Sequence, residues 1–471
     1  MRSMSFKRTT RALLAVALLG VGVSVAAPAG SPTAGAPVAC ATLCAGGEFH
    51  PLDPVRIFDN RPPGINSPVG PKPTSPGGSE FTVQLLGEGG IPADAADVLA
   101  VVVNVTVADA TRRGSLTVFP TGLAAGGAGE SSLVNYLANR NTPNVAIIGV
   151  GNGGTATVRL TTPSGAGTAN VAIDVFGWIS TSNNDDRGAR LISAGPGRIY
   201  DSRETGGVLG PDQSRAVQVL GADAPGQPDI VPNRGTVSGV MINLTAINRE
   251  PGSANTNLAV TPNPLPAGTP ATTSNTNVVP GLVKANLVFA PIGPDGRIHI
   301  KNRNGNIHFA VDVLGYLENG KSVDTREGRI IPLDAPFRAF DTREPAFGNV
   351  PLGFGSAEDW SFQAFAESVT MPSGGSSIPV GNQLALIGNV TGTGLQRLYA
   401  TVPVSTFISA YPGGTKRSET SIINVPEGEN VPNMTLLRYG TADGDPYVVQ
   451  MYNHNGSIHY LLDVYAVVLA D

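Results

Sequence analysis

One six-residue pattern occurs three times in the chain at near-equal spacing. The copies are Arg56-Ile-Phe-Asp-Asn-Arg61, Arg198-Ile-Tyr-Asp-Ser-Arg203 and Arg338-Ala-Phe-Asp-Thr-Arg343. Each copy opens a segment that closes on an apolar run containing a single carboxylate, which is Asp174, Asp312 or Asp463. A pattern that recurs with the same opening and closing residues predicts tandem copies of one structural unit.

The composition favours an all-β fold with many turns. A chain of 471 residues has room for about three domains of ordinary size. Charged residues make up only 14% of it, against about 25% in a typical soluble domain. Gly (59) and Pro (39) are abundant, yet 41% of the residues are hydrophobic, which is enough to bury sizeable cores. Helical patterning is nearly absent after the first 30 residues.

Alternation and β-branched content predict eight short strands in the first repeat. They are Val55–Asn60, Glu80–Leu86, Val98–Val107, Ser115–Phe119, Ser132–Ala138, Val145–Val150, Thr155–Leu160 and Asn170–Ile179. Short strands between Gly, Pro and Asn turns are typical of a sandwich or barrel. We therefore expect three tandem β-sandwich (or small barrel) modules, each with its own core, at residues 50–180, 191–318 and 330–471.

Asn-Gly pairs in the second and third repeats predict tight hairpins. Asn304-Gly305 would join Arg297–Arg303 to Asn306–Leu314, and Asn455-Gly456 recurs at the same place in repeat 3. In the hairpin register Arg297 lies directly opposite Asp312.

The N-terminus resembles an export signal. Residues 1–29 carry Arg2, Lys7, Arg8 and Arg11 ahead of an apolar run, and Ala27-Pro-Ala29 offers a small-residue cleavage site. The alternative, a membrane anchor, needs about 20 apolar residues, and this run is shorter. Residues 30–49, rich in Pro, Gly and Ala, are predicted to be a flexible lead-in. We expect a secreted protein, extracellular or cell-surface associated, with no transmembrane segment after the signal is removed.

The cysteines and the net charge limit the partners. Cys40 and Cys44 are the only cysteines. In an exported protein a short disulfide loop between them is the first expectation, with lipid attachment at Cys40 as the alternative. The formal net charge is −5, and losing residues 1–29 would make it more negative. An acidic chain without a basic stripe does not favour binding to nucleic acid or to an anionic membrane surface.

A family resemblance rests on three motifs found in order. Arg-x-Phe-Asp-Thr-Arg at the start of a repeat, Asn-Val-Thr in its middle and Asp-Val-x-Gly-Tyr at its end resemble a module of exported actinobacterial proteins. The resemblance covers nearly all of the chain after residue 50, although repeat 3 ends Asp463-Val-Tyr-Ala-Val. It implies an extracellular β module with no agreed activity.

The closing aspartates should have arginine partners. A carboxylate buried in an apolar strand would cost several kcal/mol or be protonated unless it is paired. Only the opening motif supplies an arginine in every repeat, so we predict a structural Arg/Asp pairing of first strand with last. Its residues are Arg56, Asp59, Arg61, Asp174, Arg198, Asp201, Arg203, Asp312, Arg338, Asp341, Arg343 and Asp463. The alternative is an arginine cluster that binds an acidic ligand.

Strand alternation predicts that Asp59 and Arg61 share one face and that Arg56 points to the other.

His308 and His459 occupy one repeat position, and His299 would lie diagonal to His308 in the hairpin register. They lack a third ligand, so we predict no metal site and no cofactor. Asn104-Val-Thr, Asn243-Leu-Thr and Asn389-Val-Thr match the glycosylation pattern but lie in apolar strands, where paired side-chain hydrogen bonds are the better expectation.

Binding is the function that these observations favour. Trp360, Tyr399, Tyr411 and Tyr452 of repeat 3 are candidate ligand-facing aromatics, suited to sugar rings or to a partner protein. No sequence order typical of a catalytic triad, paired-acid cleft or cofactor loop is present. We expect a non-catalytic repeat protein that binds cell-wall polysaccharide or a surface protein. The alternatives are a secreted carbohydrate-active hydrolase using Asp59 and Asp174, and a structural assembly unit with three modules around a pseudo-threefold axis.

Overall fold

The computed structural model describes residues 46–62, 75–76, 79–123, 131–163, 165–181, 187–322, 325–361, 368–370, 377–397 and 405–470. The predicted signal, most of the lead-in and the Cys40–Cys44 pair lie outside these ranges. Within them the regular structure consists of strands and short 3-10 turns, which confirms the all-β prediction. The turns span Asn152–Gly154, Pro345–Phe347 and Val380–Asn382. No helix in this part of the chain is long and apolar enough to cross a membrane.

Repeat 1 forms two four-stranded antiparallel sheets, in the orders β1-β9-β4-β7 and β3-β8-β5-β6, and β2 pairs with β9. Its strands are β1 (Phe49–Asp59), β2 (Ser75–Pro76), β3 (Glu80–Gln84), β4 (Val98–Ala108), β5 (Gly114–Pro120), β6 (Val134–Tyr136), β7 (Thr142–Gly149), β8 (Thr155–Thr161) and β9 (Thr168–Ser180).

Repeat 2 has the same two sheets, in the orders β10-β19-β14-β17 and β11-β18-β15-β16, and adds the hairpin β12-β13. Its strands are β10 (Arg190–Asp201), β11 (Ser214–Gln218), β12 (Ala222–Ala224), β13 (Gln227–Val231), β14 (Val237–Ile247), β15 (Thr256–Thr261), β16 (Thr276–Val278), β17 (Val283–Pro291), β18 (Arg297–Asn302) and β19 (His308–Glu318).

Repeat 3 again gives two sheets, β20-β30-β24-β27 and β21-β29-β25-β26, with β28 pairing β29 and a separate hairpin β22-β23. Its strands are β20 (Ile330–Asp341), β21 (Ala357–Ser361), β22 (Ser368–Thr370), β23 (Ser377–Pro379), β24 (Gln383–Gln396), β25 (Ser405–Pro412), β26 (Ile423–Pro426), β27 (Val431–Arg438), β28 (Gly440–Ala442), β29 (Asp445–Asn453) and β30 (Ser457–Leu469).

The six small sheets have a propeller-like arrangement rather than the appearance of three clearly separate sandwiches. One apolar cluster explains why. It contains most of the repeat 1 core together with Phe289 and Met241 of repeat 2 and Met434 and Ala466 of repeat 3. Repeats 2 and 3 each have a further cluster of their own. The expected independent core is therefore not found in repeat 1, whose core is continuous with residues of the other two.

Backbone hydrogen bonds join the starts of the three repeats in a closed ring. The Phe49 N–H donates to Ala189 at 2.8 Å, the Leu191 N–H to Gly328 at 2.8 Å and the Ile330 N–H to Gly47 at 2.7 Å. Residues 46–49 are buried at this junction, so the flexible lead-in cannot extend to residue 49 as predicted. Each repeat thus contacts both of the others, and the contact between repeat 3 and repeat 1 closes the ring.

The predicted Asn-Gly hairpins are wrong. The turn at Asn304-Gly305 leads from β18 to β19, which lie in different sheets, and Arg297 pairs with Gln218 on β11 rather than with Asp312. The β19 strand already has neighbours on both edges, because it lies between β10 and β14. Asn302 stabilises the crossing, since its amide donates to Gly305 at 2.8 Å and to Gly210 at 2.9 Å.

Candidate functional site

The opening arginine and the closing aspartate of each repeat form a two-pronged ion pair between cross-strand neighbours. Arg56 pairs with Asp174 in the β1–β9 register, and its Nε and Nη2 donate to the two carboxylate oxygens at 2.8 and 3.1 Å. The same two bonds measure 2.7 and 3.1 Å from Arg198 to Asp312, and 2.7 and 3.1 Å from Arg338 to Asp463. Such bidentate bonds are strong and fix the relative orientation of the two groups.

The motif continues through its central aspartate to its second arginine. Arg56 Nη1 donates to Asp59 at 3.0 Å, and the Arg61 Nε and Nη2 donate to Asp59 at 2.9 and 2.5 Å. Arg56 and Asp59 therefore lie on one side, contrary to the predicted alternation. A β-bulge is the cause: Arg56 faces Asp174 and Phe58 faces Ile173, so the intervening residue is extra and the alternation resets.

The closing aspartate of each repeat and the central aspartate of its motif have pKa values shifted in opposite directions. Burial raises the pKa of Asp174, and the Arg56 guanidinium opposes that rise. For Asp59 burial acts in the same direction, but hydrogen bonds from the side chain and backbone of Arg61 outweigh it and lower the pKa. The equivalent residues of the other repeats shift in the same directions: upward for Asp312 and Asp463, and downward for Asp201 and Asp341.

Burial of the second arginine differs among the repeats. The Arg61 side chain is 13% exposed, whereas Arg203 is 51% and Arg343 is 47% exposed. The carboxylates of Asp59 and Asp174, the acids named for a hydrolase, are fully buried and held by Arg56. Water and substrate therefore have no direct access to this pair of acids.

Six asparagines link the repeats in a second closed ring. Between repeats 1 and 2, the Asn286 amide donates to Asn104 Oδ1 at 3.0 Å, and the Asn104 amide donates to the Ser274 carbonyl at 2.7 Å. The other two contacts repeat the pattern: Asn433 to Asn243 (3.0 Å) and Asn243 to Ser421 (2.6 Å); Asn144 to Asn389 (2.9 Å) and Asn389 to Ser132 (2.9 Å). A buried amide without a partner costs about 1–3 kcal/mol, so the ring fixes how neighbouring repeats meet.

The asparagine whose Oδ1 accepts the bond in each pair belongs to an Asn-x-Thr sequence: Asn104, Asn243 and Asn389. Asn104 and Asn243 also donate to Thr106 and Thr245 at 3.4 Å, as expected of paired side chains inside the fold. Sequence analysis missed their partners Asn144, Asn286 and Asn433. A signal was available, because each of these asparagines stands at or near the start of an apolar run at the same place in its repeat.

A buried charge cluster lies where the three repeats begin, and sequence analysis also missed it. Glu48, Arg190 and Arg329 each immediately precede one of the three residues whose N–H groups form the backbone ring. Arg190 donates to Glu48 at 3.0 Å, and the Arg329 Nη1 donates to the Gly46 carbonyl at 2.6 Å. Burial, reinforced by nearby Arg190, lowers the pKa of Arg329 to about 10. The Glu48 carboxylate therefore lies within 4 Å of the guanidinium groups of Arg190 and Arg329, and also of the more exposed Arg187.

A large polar cleft separates repeats 2 and 3, and we call it the 2–3 groove. Repeat 2 contributes three arginines and repeat 3 contributes two glutamates, two aromatic rings and several polar side chains. The lining includes Arg198, Arg203, Arg249, Thr245, Ser405, Phe407, Glu419, Asn424, Glu427, His454 and Asn455. The half-buried Phe407 and the exposed His454 stack with ring centroids 4.4 Å apart.

Two of the four candidate aromatics of repeat 3, Tyr411 and Tyr452, have side chains that the structure describes, and neither lines the 2–3 groove. Tyr411 is buried in the core, which does not suit a ligand-facing role. Tyr452 is half-buried with the Arg417 guanidinium 3.8 Å above its ring. Trp360 lies on β21, and Tyr399 falls outside the described residues. Phe407 and His454 were not singled out from the sequence, because Phe407 fits an ordinary strand position.

The histidines have structural neighbours. His308 and His459 contact the hydroxyls of Ser202 and Thr342 at 2.8 and 3.1 Å through Nδ1. His299 lies on β18 and His308 on β19, in different sheets, so the diagonal relationship predicted from the hairpin does not exist. Among the described residues no group of three or more His, Cys, Asp or Glu could hold a metal ion.

No protein-family model and no curated protein matches the chain. Among solved structures, one similar chain comes from "The Triple Jelly Roll Fold and Turret Assembly in an Archaeal Virus", with 11% identity, 90% of each chain covered and a TM-score of 0.17. Another comes from the atomic structure of Sulfolobus Turreted Icosahedral Virus, with 11% identity, 90% of this chain and 91% of that chain covered, and a TM-score of 0.15. Similarity at this level indicates neither a shared fold nor a shared function.

Proposed function

We propose that the protein is a non-catalytic, secreted or cell-surface-associated repeat protein that binds cell-wall glycan in the 2–3 groove. The observation that carries this proposal is the stacked pair Phe407 and His454 on a groove otherwise lined by polar side chains. Sugar rings pack their C–H faces on aromatic rings while their hydroxyls bond to polar neighbours.

The aromatic pair is specific to repeat 3, which distinguishes this groove from the other two contacts. Phe407 pairs with Asn424 across β25 and β26. The equivalent pairs are Asn257 with Asn277 in repeat 2 and Ser115 with Asn135 in repeat 1. A ring at this position therefore faces a neighbouring repeat only where repeat 3 meets repeat 2.

The remaining charged residues support a scaffold rather than a reaction centre. The acids named for a hydrolase, Asp59 and Asp174, are buried against Arg56. We further propose that each pair of four-stranded sheets is one sandwich-like copy of a tandem module, and that the two closed rings hold the three copies in one rigid body. A rigid body presents a groove of fixed shape, which lowers the entropy cost of binding.

A pull-down on purified peptidoglycan and cell-wall polysaccharides tests the proposal. The full chain is compared with Phe407→Ala and with Phe354→Ala, which removes an exposed phenylalanine that does not line the groove. We expect Phe407→Ala to bind about tenfold more weakly, the loss that corresponds to about 1.4 kcal/mol, and Phe354→Ala to bind like the unmodified chain. Retention of Phe407→Ala at full strength would contradict the choice of groove.

A structural assembly unit is the second candidate, and the closed asparagine ring favours it. Such a unit would need no glycan ligand. Failure of the unmodified chain to bind any glycan in the panel would therefore overturn the first proposal and support this one.

A further inference from the structure

We infer that the ligand of the 2–3 groove is an acidic glycan, whose carboxylate, phosphate or sulfate is bound by Arg203. This inference rests on the proposed function and adds the chemical class of the ligand. The second arginine of the repeated motif then has a binding role in repeat 2 beyond its contacts within the motif.

The Arg203 guanidinium has one edge occupied and one edge open. Its Nε and Nη2 donate to the two oxygens of Asp201 at 2.9 and 2.5 Å. The opposite edge, formed by Nη1 and the outer N–H of Nη2, has no hydrogen-bond partner among the residues that the structure describes. The side chain is 51% exposed and lines the groove. Two parallel N–H groups on one edge match the spacing of two oxygens of an acidic group.

The open edge is held in place before any ligand binds. Asp201 also accepts a hydrogen bond from Arg198 Nη1 at 3.2 Å, and Arg198 is held by its two bonds to Asp312. A flexible arginine loses rotational freedom when it binds an anion, whereas this one has already lost it on folding. The chain from Asp312 to Arg203 therefore positions a binding group at low entropic cost.

Exposed arginines give the groove hydrogen-bond donors for an anion. Three arginines and two glutamates line it, but Arg198 is already paired with Asp312 and Asp201, and Glu427 with Arg397, whose Nε lies 2.6 Å from both carboxylate oxygens. Glu419 is the other acidic residue of the lining, and Arg249 is a second exposed cation in it besides Arg203. One oligosaccharide could place an acidic group against these arginines and a sugar ring against Phe407.

Repeat 3 offers a matched control. Arg343 makes the same contacts with Asp341, at 2.8 and 2.5 Å, and is 47% exposed. The position equivalent to Phe407 in repeat 1 is Ser115, so no stacked ring accompanies this second open arginine. Arg343→Gln should therefore leave binding in the 2–3 groove unchanged.

The test compares three polymers with one backbone: dextran, carboxymethyl-dextran and dextran sulfate. The full chain, Arg203→Gln, Arg203→Lys and Arg343→Gln are each measured for affinity, and their melting temperatures show whether they fold. We expect the unmodified chain to bind at least one charged polymer about tenfold more tightly than dextran. Arg203→Gln should lose that preference, Arg343→Gln should keep it, and Arg203→Lys should fall between them because it keeps the charge but loses the two-pronged edge.

The outcomes separate this inference from the proposed function. Equal affinity for the three polymers, or a preference for charge that survives Arg203→Gln, would overturn the inference. If dextran then still bound in a Phe407-dependent way, the groove would remain a glycan site without an acid requirement. Absence of binding to all three polymers and to the cell-wall panel would overturn both. The charged polymer that binds with the higher affinity, carboxymethyl-dextran or dextran sulfate, shows whether the groove prefers a carboxylate or a sulfate group.

Discussion

The side-chain amide of Asn389 donates a hydrogen bond at 2.9 Å to the carbonyl oxygen of Ser132, 257 residues earlier in the chain. Equivalent bonds join Asn104 to Ser274 and Asn243 to Ser421, so each repeat contacts both of the others through this pattern. Their contacts are equivalent but not identical, which allows each to be tested separately.

We predict a graded effect of removing the closing aspartates. Asp174→Ala removes the two-pronged partner of Arg56, which is only 6% exposed, and leaves it with a single bond to Asp59; the loss should cost about 3 kcal/mol of unfolding free energy. Asp312→Ala and Asp463→Ala should cost less, because Arg198 and Arg338 are 21% and 27% exposed and water can replace part of the lost bonds. Urea denaturation measures all three, with the exposed Asp53→Ala as the control. An order in which Asp174→Ala is the mildest would contradict this account.

The asparagine ring should show energetic coupling between repeats 3 and 1. Asn389→Ala and Asn144→Ala should each cost about 1–3 kcal/mol, because each removes the buried hydrogen bond between the two amides together with the other bonds of the deleted side chain. The double variant should cost less than the two losses added together. Asn389→Ala combined with Asn104→Ala, which acts at a different contact, should be additive to within about 0.5 kcal/mol. Additivity of the first pair would mean that their hydrogen bond contributes nothing.

Glu48→Gln should be severely destabilising. Arg190 is fully buried and Arg329 nearly so, and the variant removes a carboxylate that lies within 4 Å of both guanidinium groups. We expect a loss of about 3–5 kcal/mol, the range for breaking a buried ion pair. Thermal and urea unfolding provide the measurement, and Glu88→Gln on an exposed turn provides a matched control with a change within about 0.5 kcal/mol. A loss below about 1 kcal/mol would contradict this prediction and would show that the backbone carbonyls bonded to Arg190 are enough to stabilise its buried charge.

The central aspartates of the motif should make the protein sensitive to acid. Hydrogen bonds from Arg343 lower the pKa of Asp341 below its ordinary 3.8, outweighing the upward effect of burial. The folded state then holds the proton more weakly than the unfolded chain, so this contribution to stability is present above pH 3.8 and is lost as the pH falls below it. Burial raises the pKa of Asp463, which acts in the opposite direction.

Urea midpoints between about pH 5 and pH 2 measure this effect. The unfolding free energy of Asp341→Asn should depend less steeply on pH than that of the unmodified chain. Asp445→Asn, at an exposed site, should leave the slope unchanged. Parallel pH profiles for the unmodified chain and Asp341→Asn would show that the central aspartate does not link protonation to folding.

Much of the strand pattern could be predicted, because alternation and turn residues are local signals. Val98–Val107 was predicted where β4 spans Val98–Ala108, and Thr155–Leu160 where β8 spans Thr155–Thr161. Sheet membership was harder. The Asn304-Gly305 turn has hairpin chemistry, but the strands that it joins belong to two sheets because β19 is needed at the centre of one of them.

The site shows the same division. The contact between Arg56 and Asp174 could be anticipated, since a carboxylate in an apolar strand needs a cation and the motif supplies one in every repeat. The direction of Arg56 could not, because the bulge after it is decided by pairing with β9. Contacts between repeats, such as Asn286 with Asn104, depend on how whole units pack, and no local pattern encodes that arrangement.

The ring of repeat starts has a consequence for chain connectivity. Ile330 pairs with Val468 and donates to Gly47, so the end of the last strand lies beside the start of the first. A circularly permuted chain, joined across this gap and opened between repeats 1 and 2, would contain every inter-repeat bond described above. The order of the repeats along the chain could therefore change without loss of a contact between them, because those contacts depend only on the surfaces at which the repeats meet.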